Sequence, residues 1–380
     1  MVEAMEIQKG FKKTDAGTIP GAWQVPKLIE IADFENGKAH EQFIDDKGEY
    51  IVVNSKFIST EGNVRKFSNK NLSPLKKGSI AIVMSDIPNG RALAKCYLVE
   101  KDNRYTLNQR IGCIKPNEDI DYRYLFYKLN RNIYFLSFDS GSGQTNLRRN
   151  EILDCPVAIP PTKVEQTAIA EALNDADALI AELEKLIAKK KAIKQGAMQE
   201  LLKPKAGWEV RLLGDFLDYE QPTKYVVADT EYNDHNQTPV LTAGKTFILG
   251  YTNEEFGVFN NHPVIIFDDF TTATKYIDFP FKVKSSAMKI LKPKKDVNLR
   301  FVFELMQTIK FDSTDHKRYW ISEYRNIEVK VPRPDEQDHI SKILSDMDAE
   351  IEVLEKKLDK YKMLKQGLMQ NLLTGKIRLI

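Results

Sequence analysis

Residues 165–205 of this chain align without a gap on residues 336–376, and about half of the aligned positions are identical. The agreement includes Lys194-Gln195-Gly196-x-Met198-Gln199-x-Leu201-Leu202 against Lys365-Gln366-Gly367-x-Met369-Gln370-x-Leu372-Leu373. A repeat of this length constrains architecture before any residue is given a role, because each copy must fold alike. Weaker echoes precede each block. Trp23-x-Val25-x-x-Leu28 answers Trp208-x-Val210-x-x-Leu213, Asp33-Phe34-Glu35 answers Asp218-Tyr219-Glu220, and Ile114-Lys115-Pro116 answers Leu291-Lys292-Pro293. Arg123-Tyr124-Leu125-Phe126 then matches Arg300-Phe301-Val302-Phe303, and each half closes on an apolar run into proline. The order is domain, helix, domain, helix.

The two strong blocks are helices by pattern. Leu344, Met347, Ile351, Leu354, Leu358, Tyr361, Lys365, Leu368 and Leu372 follow the alternating three-and-four spacing of a heptad seam. The first copy places Leu173, Ala176, Ile180, Leu183, Ile187, Lys190, Lys194, Ala197 and Leu201 at the same positions, and Pro204 and Gly375 supply stops. Forty residues of helix span about 60 Å. A parallel pair would need a connection running the same distance back, which no linker provides, so the helices are expected to pair antiparallel, placing two similar domains at opposite ends of a rod. The expected fold class is α+β. Mixed α/β domains at 1–161 and 205–333 are joined by two long helices, 162–204 and 334–380, that form an antiparallel coiled coil with a pseudo-two-fold repeat. Apolar runs such as Tyr50-Ile51-Val52-Val53, Ser79–Met84 and Val264-Ile265-Ile266-Phe267, set between Gly, Pro, Asn and Asp, read as strands. The helices match well while the domain interiors hardly match, as a constant frame carrying two different readers would; relaxed selection on loops would give the same asymmetry.

A length of 380 residues suggests two or three cores rather than one. No stretch approaches the 18 to 20 apolar residues, roughly, of a membrane span, and the acidic start Met1-Val2-Glu3 has no secretory pattern. A soluble, cytoplasmic protein with no membrane partner is expected. Cys96, Cys113 and Cys155 are odd in number and far apart, which favours buried thiols over disulfides or a zinc site. The formal charge of +2 is only mildly basic, so any positive surface that meets nucleic acid must be local.

Catalytic signatures are missing. Gly244-Lys245-Thr246 resembles the end of a phosphate loop, but its first glycine would fall at Pro239, which has no amide hydrogen for phosphate. Ile159-Pro160-Pro161-Thr162 lacks the polar residue and the aromatic with which aminomethyltransferases grip adenine. His40, His235, His262, His316 and His339 show no ligand spacing, and Asp268-Asp269 has no evident lysine partner for a nuclease site. Neither a catalytic nor a metal site is assigned.

Local clusters do combine the side chains that contact phosphate and base edges. In the first domain they are Asn54, Ser55 and Lys56; Ser85, Asn89 and Arg91; and the loop with Gln144, Thr145, Asn146, Arg148 and Arg149. The second domain has Thr242, Lys245 and Thr246; Thr271, Thr272, Thr274, Lys275 and Tyr276; and His316, Lys317 and Arg318. Taken singly, each reads better as a solvated polar loop, and it is their recurrence in both halves that favours DNA. Lys189-Lys190-Lys191 lies on the first helix, where a solvated face, a phosphate contact and a partner surface are equally open. Trp23 and Trp208 read as core anchors of the two domains.

The repeated block ending Lys-Gln-Gly-x-Met-Gln-x-Leu-Leu, its lead-ins from Pro160-Pro161 to Glu165-Gln166 and from Pro332 to Glu336-Gln337, and the opening Ile19-Pro20-Gly21-Ala22-Trp23 resemble the specificity subunits of type I restriction-modification systems. The likeness covers nearly the whole chain. It implies a non-catalytic subunit whose two recognition domains each read one half of a split site in double-stranded DNA. By the same resemblance, the helices space the readers and dock two modification subunits, adenine methyltransferases that bind S-adenosylmethionine, while restriction subunits use ATP and Mg. The resemblance does not transfer base-reading residues, since recognition domains are the variable part of the family. A coiled-coil scaffold, or the separated recognition piece of a type II restriction-methylation enzyme, is the rival reading.

Overall fold

Short apolar runs bounded by turn residues become short strands in the computed structural model, which describes residues 9–87, 90–139, 141–242, 246–311 and 319–379. The chain divides into two units, one of residues up to Glu182 together with those from Leu358 onward, the other Leu183–Lys357.

The first unit contains β1 (Phe11–Thr14), β2 (Gly17–Pro20), β3 (Ala32–Asn36), β4 (Tyr50–Val53), β5 (Phe67–Ser68), β6 (Ile80–Val83), β7 (Ser85–Asp86), β8 (Cys96–Leu98), β9 (Tyr105–Leu107), β10 (Ile111–Pro116) and β11 (Thr145–Asn146). Its main sheet has the order β3-β10-β6-β8, antiparallel throughout, with Ile114 opposite both Phe34 and Ile80. Strand β6 is buried at every position because both faces of the sheet are covered. Ile80 and Ile82 face a core with Leu28, Leu125, Phe135 and Ile152, whereas Ala81 and Val83 face another with Phe57, Leu107 and Ile111. A second sheet, β5-β4-β9, pairs β4 parallel to β9.

The second unit repeats this plan in a different sequence. It contains β12 (Glu209–Leu212), β13 (Leu217–Glu220), β14 (Thr238–Leu241), β15 (Ile248–Thr252), β16 (Val264–Asp268), β17 (Thr274–Ile277), β18 (Lys282–Val283), β19 (Met288–Pro293) and β20 (Glu328–Val331). The main sheet is β13-β19-β16-β17, and the companion β15-β14-β18 again holds one parallel pair, β14 with β18. Strand β16 splits its side chains as β6 does, Ile265 and Phe267 to one core, Val264 and Ile266 to the other.

Two 39-residue helices, Lys163–Leu201 and Pro334–Leu372, carry the repeat blocks. They run antiparallel in each unit. In the first, Glu165 pairs with Arg378 and Asp177 with Lys365. In the second, Lys190 pairs with Glu350, Lys194 with Asp348 and Lys205 with Glu336. Seam positions are covered as the spacing predicts: Leu173 and Ala176 are buried in the first unit, and Leu183, Ile187, Leu344 and Ile351 in the second. Among the described residues no helix is long and apolar enough to cross a membrane, and no His, Cys, Asp and Glu group is placed to hold a metal.

One sequence reading changes. Asp269 does have a lysine partner, Lys289 of β19, whose Nζ lies 3.4 Å from Asp269 Oδ2. Twenty residues separate the two in sequence, and only the pairing of β16 with β19 brings them together. Both are almost wholly buried, which suits a structural pair and leaves no access for a substrate.

Candidate nucleic-acid interface

In the first unit, the antiparallel β7–β11 ribbon sets Ser85 opposite Asn146. Gln144 Nε2 donates to Ser85 Oγ at 2.6 Å and to Asn146 Oδ1 at 3.3 Å, so three of the candidate side chains form one polar cluster, with Gln144 and Asn146 exposed. The ribbon is braced from behind by Asp86, whose carboxylate accepts the amides of Ile87, Ala92 and Leu93. A Cβ on Gly90 would fall 2.1 Å from that carboxylate, so the turn requires glycine there. Arg91 is exposed beside the turn, and Asn89 lies outside the described residues. This ribbon offers amide donors and acceptors at one edge, the chemistry with which proteins discriminate base edges.

Several other candidates have work inside the fold. Asn54 caps the helix Ser55–Ser59 by accepting from the Phe57 amide at 2.8 Å, leaving Lys56 as the exposed cation of that cluster and Ser55 half-buried. Thr145 is buried and donates to Asp139. Arg149 donates to the Phe34 carbonyl at 2.8 Å and sits over the Phe34 ring, tying helix Arg149–Leu153 to β3. Arg148 precedes that helix and is exposed.

In the second unit, Thr271 donates to Asp268, and Thr272 has a φ of 59°, so the two form the tight turn between β16 and β17. Thr274 Oγ1 accepts from Gln307 at 2.7 Å. Tyr276 is half-buried between Phe303 and the Arg300 guanidinium, and burial raises its phenol pKa. Lys275 is exposed over the Phe247 ring, 5.9 Å from its centre, and the Thr242 amide donates to the Phe247 carbonyl. The structure therefore brings Thr242 and Lys275 to one residue, Phe247, the first at its backbone and the second at its ring. Thr246 is exposed next to it in sequence, while Lys245, His316, Lys317 and Arg318 lie outside the described residues.

The lysine run is resolved in part. Lys190 and Lys191 reach Glu350 and Glu355, each at 2.6 Å, so two of the three bind the second helix and Lys189 remains exposed. Trp23 is fully buried in its core, whereas Trp208 is half-exposed and packs at the edge of its core under Lys205. Sequence reading passed over Arg65, Lys101 and Arg104, which are scattered along the chain and meet only in the fold.

The family profile described as type I restriction modification DNA specificity domain matches the chain twice, over residues 20–195 and 205–362. The chain belongs to that family. One relative, the EcoR124I/EcoR124II specificity subunit of Escherichia coli, is 49% identical over 141 residues, which cover 36% of this chain and 35% of that one. A putative type I restriction enzyme MjaX specificity subunit from Methanocaldococcus jannaschii is 25% identical over 415 residues, with 98% and 97% of the two chains covered. Among solved structures, the S subunit of a type I restriction-modification system from M. genitalium matches with a TM-score of 0.68 at 16% identity, over 92% of this chain and 96% of that one. At that identity the likeness is one of fold. Each matched segment of this type I specificity subunit takes in one recognition domain and much of the long helix that follows it.

Proposed function

We propose that the chain is the non-catalytic recognition subunit of a type I restriction-modification complex, reading a split site in double-stranded DNA with one half assigned to each recognition domain. The observation that carries this reading is the duplication itself. Two specificity domains share a strand order, 3-10-6-8 and 13-19-16-17, but present different side chains at their polar edges. A shared frame with unlike edges reads two unlike sequences. Two modification subunits would dock on the repeated helices, bind S-adenosylmethionine and methylate adenine. Restriction subunits with ATP and Mg would act through them. With a formal charge of +2, this chain supplies little of the electrostatic affinity, so the partners would provide much of the grip on DNA.

The experiment is a genome-wide map of methylated adenine in cells expressing the cognate modification subunit with and without this chain. A split motif that appears only with the chain, and loses one half when one recognition domain is exchanged, is the expected result. No chain-dependent methylation from an assembled, active complex would overturn the reading in favour of a scaffold.

A further inference from the structure

In the first unit, the parallel strands β4 and β9 and the helix Ser55–Ser59 enclose a cavity of about 270 Å³ that none of the candidate loops contains. Its floor is aromatic: the rings of Phe57 and Tyr97 meet edge to face at 4.8 Å, and those of Tyr97 and Tyr105 at 5.8 Å. The rim carries the exposed side chains of Arg65, Lys101 and Arg104 and one carboxylate, Glu61, so cations outnumber acids there three to one. Among the described residues none of these three forms an ion pair. Arg65 donates its Nε to the Gly62 carbonyl at 2.8 Å, which fixes the guanidinium at the mouth and leaves its terminal nitrogens free. Of the nearby acids, Glu61 is taken by Lys95 at 3.0 Å, and Glu100 lies within electrostatic range of the Tyr97 phenol. Tyr97 donates to the Tyr105 hydroxyl at 3.1 Å, so the Tyr105 hydrogen is available to an acceptor in the cavity.

Three uncompensated cations, a free hydroxyl donor and room for one small anion with several waters match a phosphate group. Arginine gives that anion paired donors and lysine a point charge. We propose that this cavity holds one backbone phosphate of the bound DNA, as a positioning contact that carries no sequence information. The proposal rests on the recognition reading above. DNA is the source that fits best, because the rim residues are exposed and because Lys56, a cation already counted among the candidate contacts, lies on the helix that supplies Phe57.

The test uses the full chain in its complex with the modification subunit, comparing wild type with an Arg65→Gln, Lys101→Gln, Arg104→Gln triple variant of unchanged melting temperature. DNA affinity is measured against salt for cognate and unrelated duplexes. The expected result is a slope of log K against log salt that is smaller by about 1 in magnitude, with the same fold-loss on both duplexes. An unchanged slope overturns the proposal, as does a loss confined to cognate DNA. A parallel melt in inorganic phosphate separates the sources: stabilisation of the wild type alone, with the DNA slope unchanged, would assign the cavity to a free phosphorylated ligand and overturn the DNA assignment. If the wild-type complex binds no DNA at all, it is the recognition reading that fails.

Discussion

Lys194 Nζ lies 2.7 and 2.6 Å from the two carboxylate oxygens of Asp348, and this pair links the two long helices of the second unit. The repeat aligns Lys194 with Lys365 and Asp348 with Asp177. Those counterparts pair in the first unit with the helices exchanged, Asp177 now on the first helix and Lys365 on the second. The third member of each cluster differs. Tyr127 donates its hydroxyl to Asp177 at 2.8 Å, whereas its counterpart Glu304, with none of its surface exposed, lies 3.3 Å from Lys194 and 2.8 Å from Arg300. A buried carboxylate tolerates ionisation only while those cations remain beside it. The shared pair joins the helices, and the variable third residue ties the recognition domain to them.

Replacing Lys194 with Met therefore removes one of the two cations that neutralise Glu304. The expected cost is about 3 kcal/mol, the scale for breaking a buried pair from one side. Lys191→Met breaks only the half-exposed pair with Glu355 and should cost less than about 1 kcal/mol. Urea denaturation of the two variants checks the difference, and equal losses would show that Glu304 does not depend on Lys194. Adding Glu304→Met to Lys194→Met should recover much of the loss, because an apolar replacement leaves no buried charge unpaired.

Much of this frame was legible in the sequence. Heptad spacing located the seam through Leu173, Ile187, Leu344 and Ile351, and connectivity required the antiparallel sense now seen in the ion pairs. Strands β4, β6 and β16 were visible as apolar runs. Strand order was not, because β6 and β16 are buried on both faces and an unbroken apolar run carries no register. The roles of single polar residues were hidden for a related reason. Asn54 caps a five-residue helix too short to announce itself by periodicity, and Arg149 clasps the Phe34 carbonyl, 115 positions away, which only the fold brings to it. The same holds for Asp269 and Lys289, whose pairing depends on adjacent strands.

Lys128 gives the first unit a pH signature. Its Nζ donates to the Leu373 carbonyl at 3.1 Å, and burial pulls the ammonium down from 10.5 to about 8. The unfolded chain holds this proton up to pH 10.5, so between pH 8 and 10.5 it binds more protons than the folded chain, and stability rises with pH across that window. Below pH 8 both states carry the proton and the cost of burying the charge remains in full. Melting temperatures of the wild type and Lys128→Met between pH 7.5 and 10 should show the wild type gaining on the variant as pH rises. A constant difference would mean that Lys128 titrates normally.

Burial also governs the three thiols. It pushes Cys113 up to about 11 and Cys155 to about 12, with Cys96 raised further still. Thiolate is the reactive form, and all three side chains are covered. The folded chain should be inert to a thiol reagent at pH 8, and the same chain in denaturant should titrate three groups. Rapid labelling of one thiol in the folded chain would place it at an opening of the core.

The long helices make the sharpest functional prediction, since a helix gains length at a fixed rate of 1.5 Å per residue. One heptad inserted into each of the two preserves the phase of the seam and adds about 10 Å. At about 3.4 Å per base pair, that corresponds to roughly three more base pairs between the half-sites. Both helices must be lengthened together, because an insertion in one alone would set Lys194 against a residue other than Asp348 or Lys365 against one other than Asp177. Mapping methylated adenine in cells carrying the lengthened chain should return the same two half-sites at the wider spacing. Retention of the original spacing by an assembled, active complex would show that the helices do not set the distance between the sequences read.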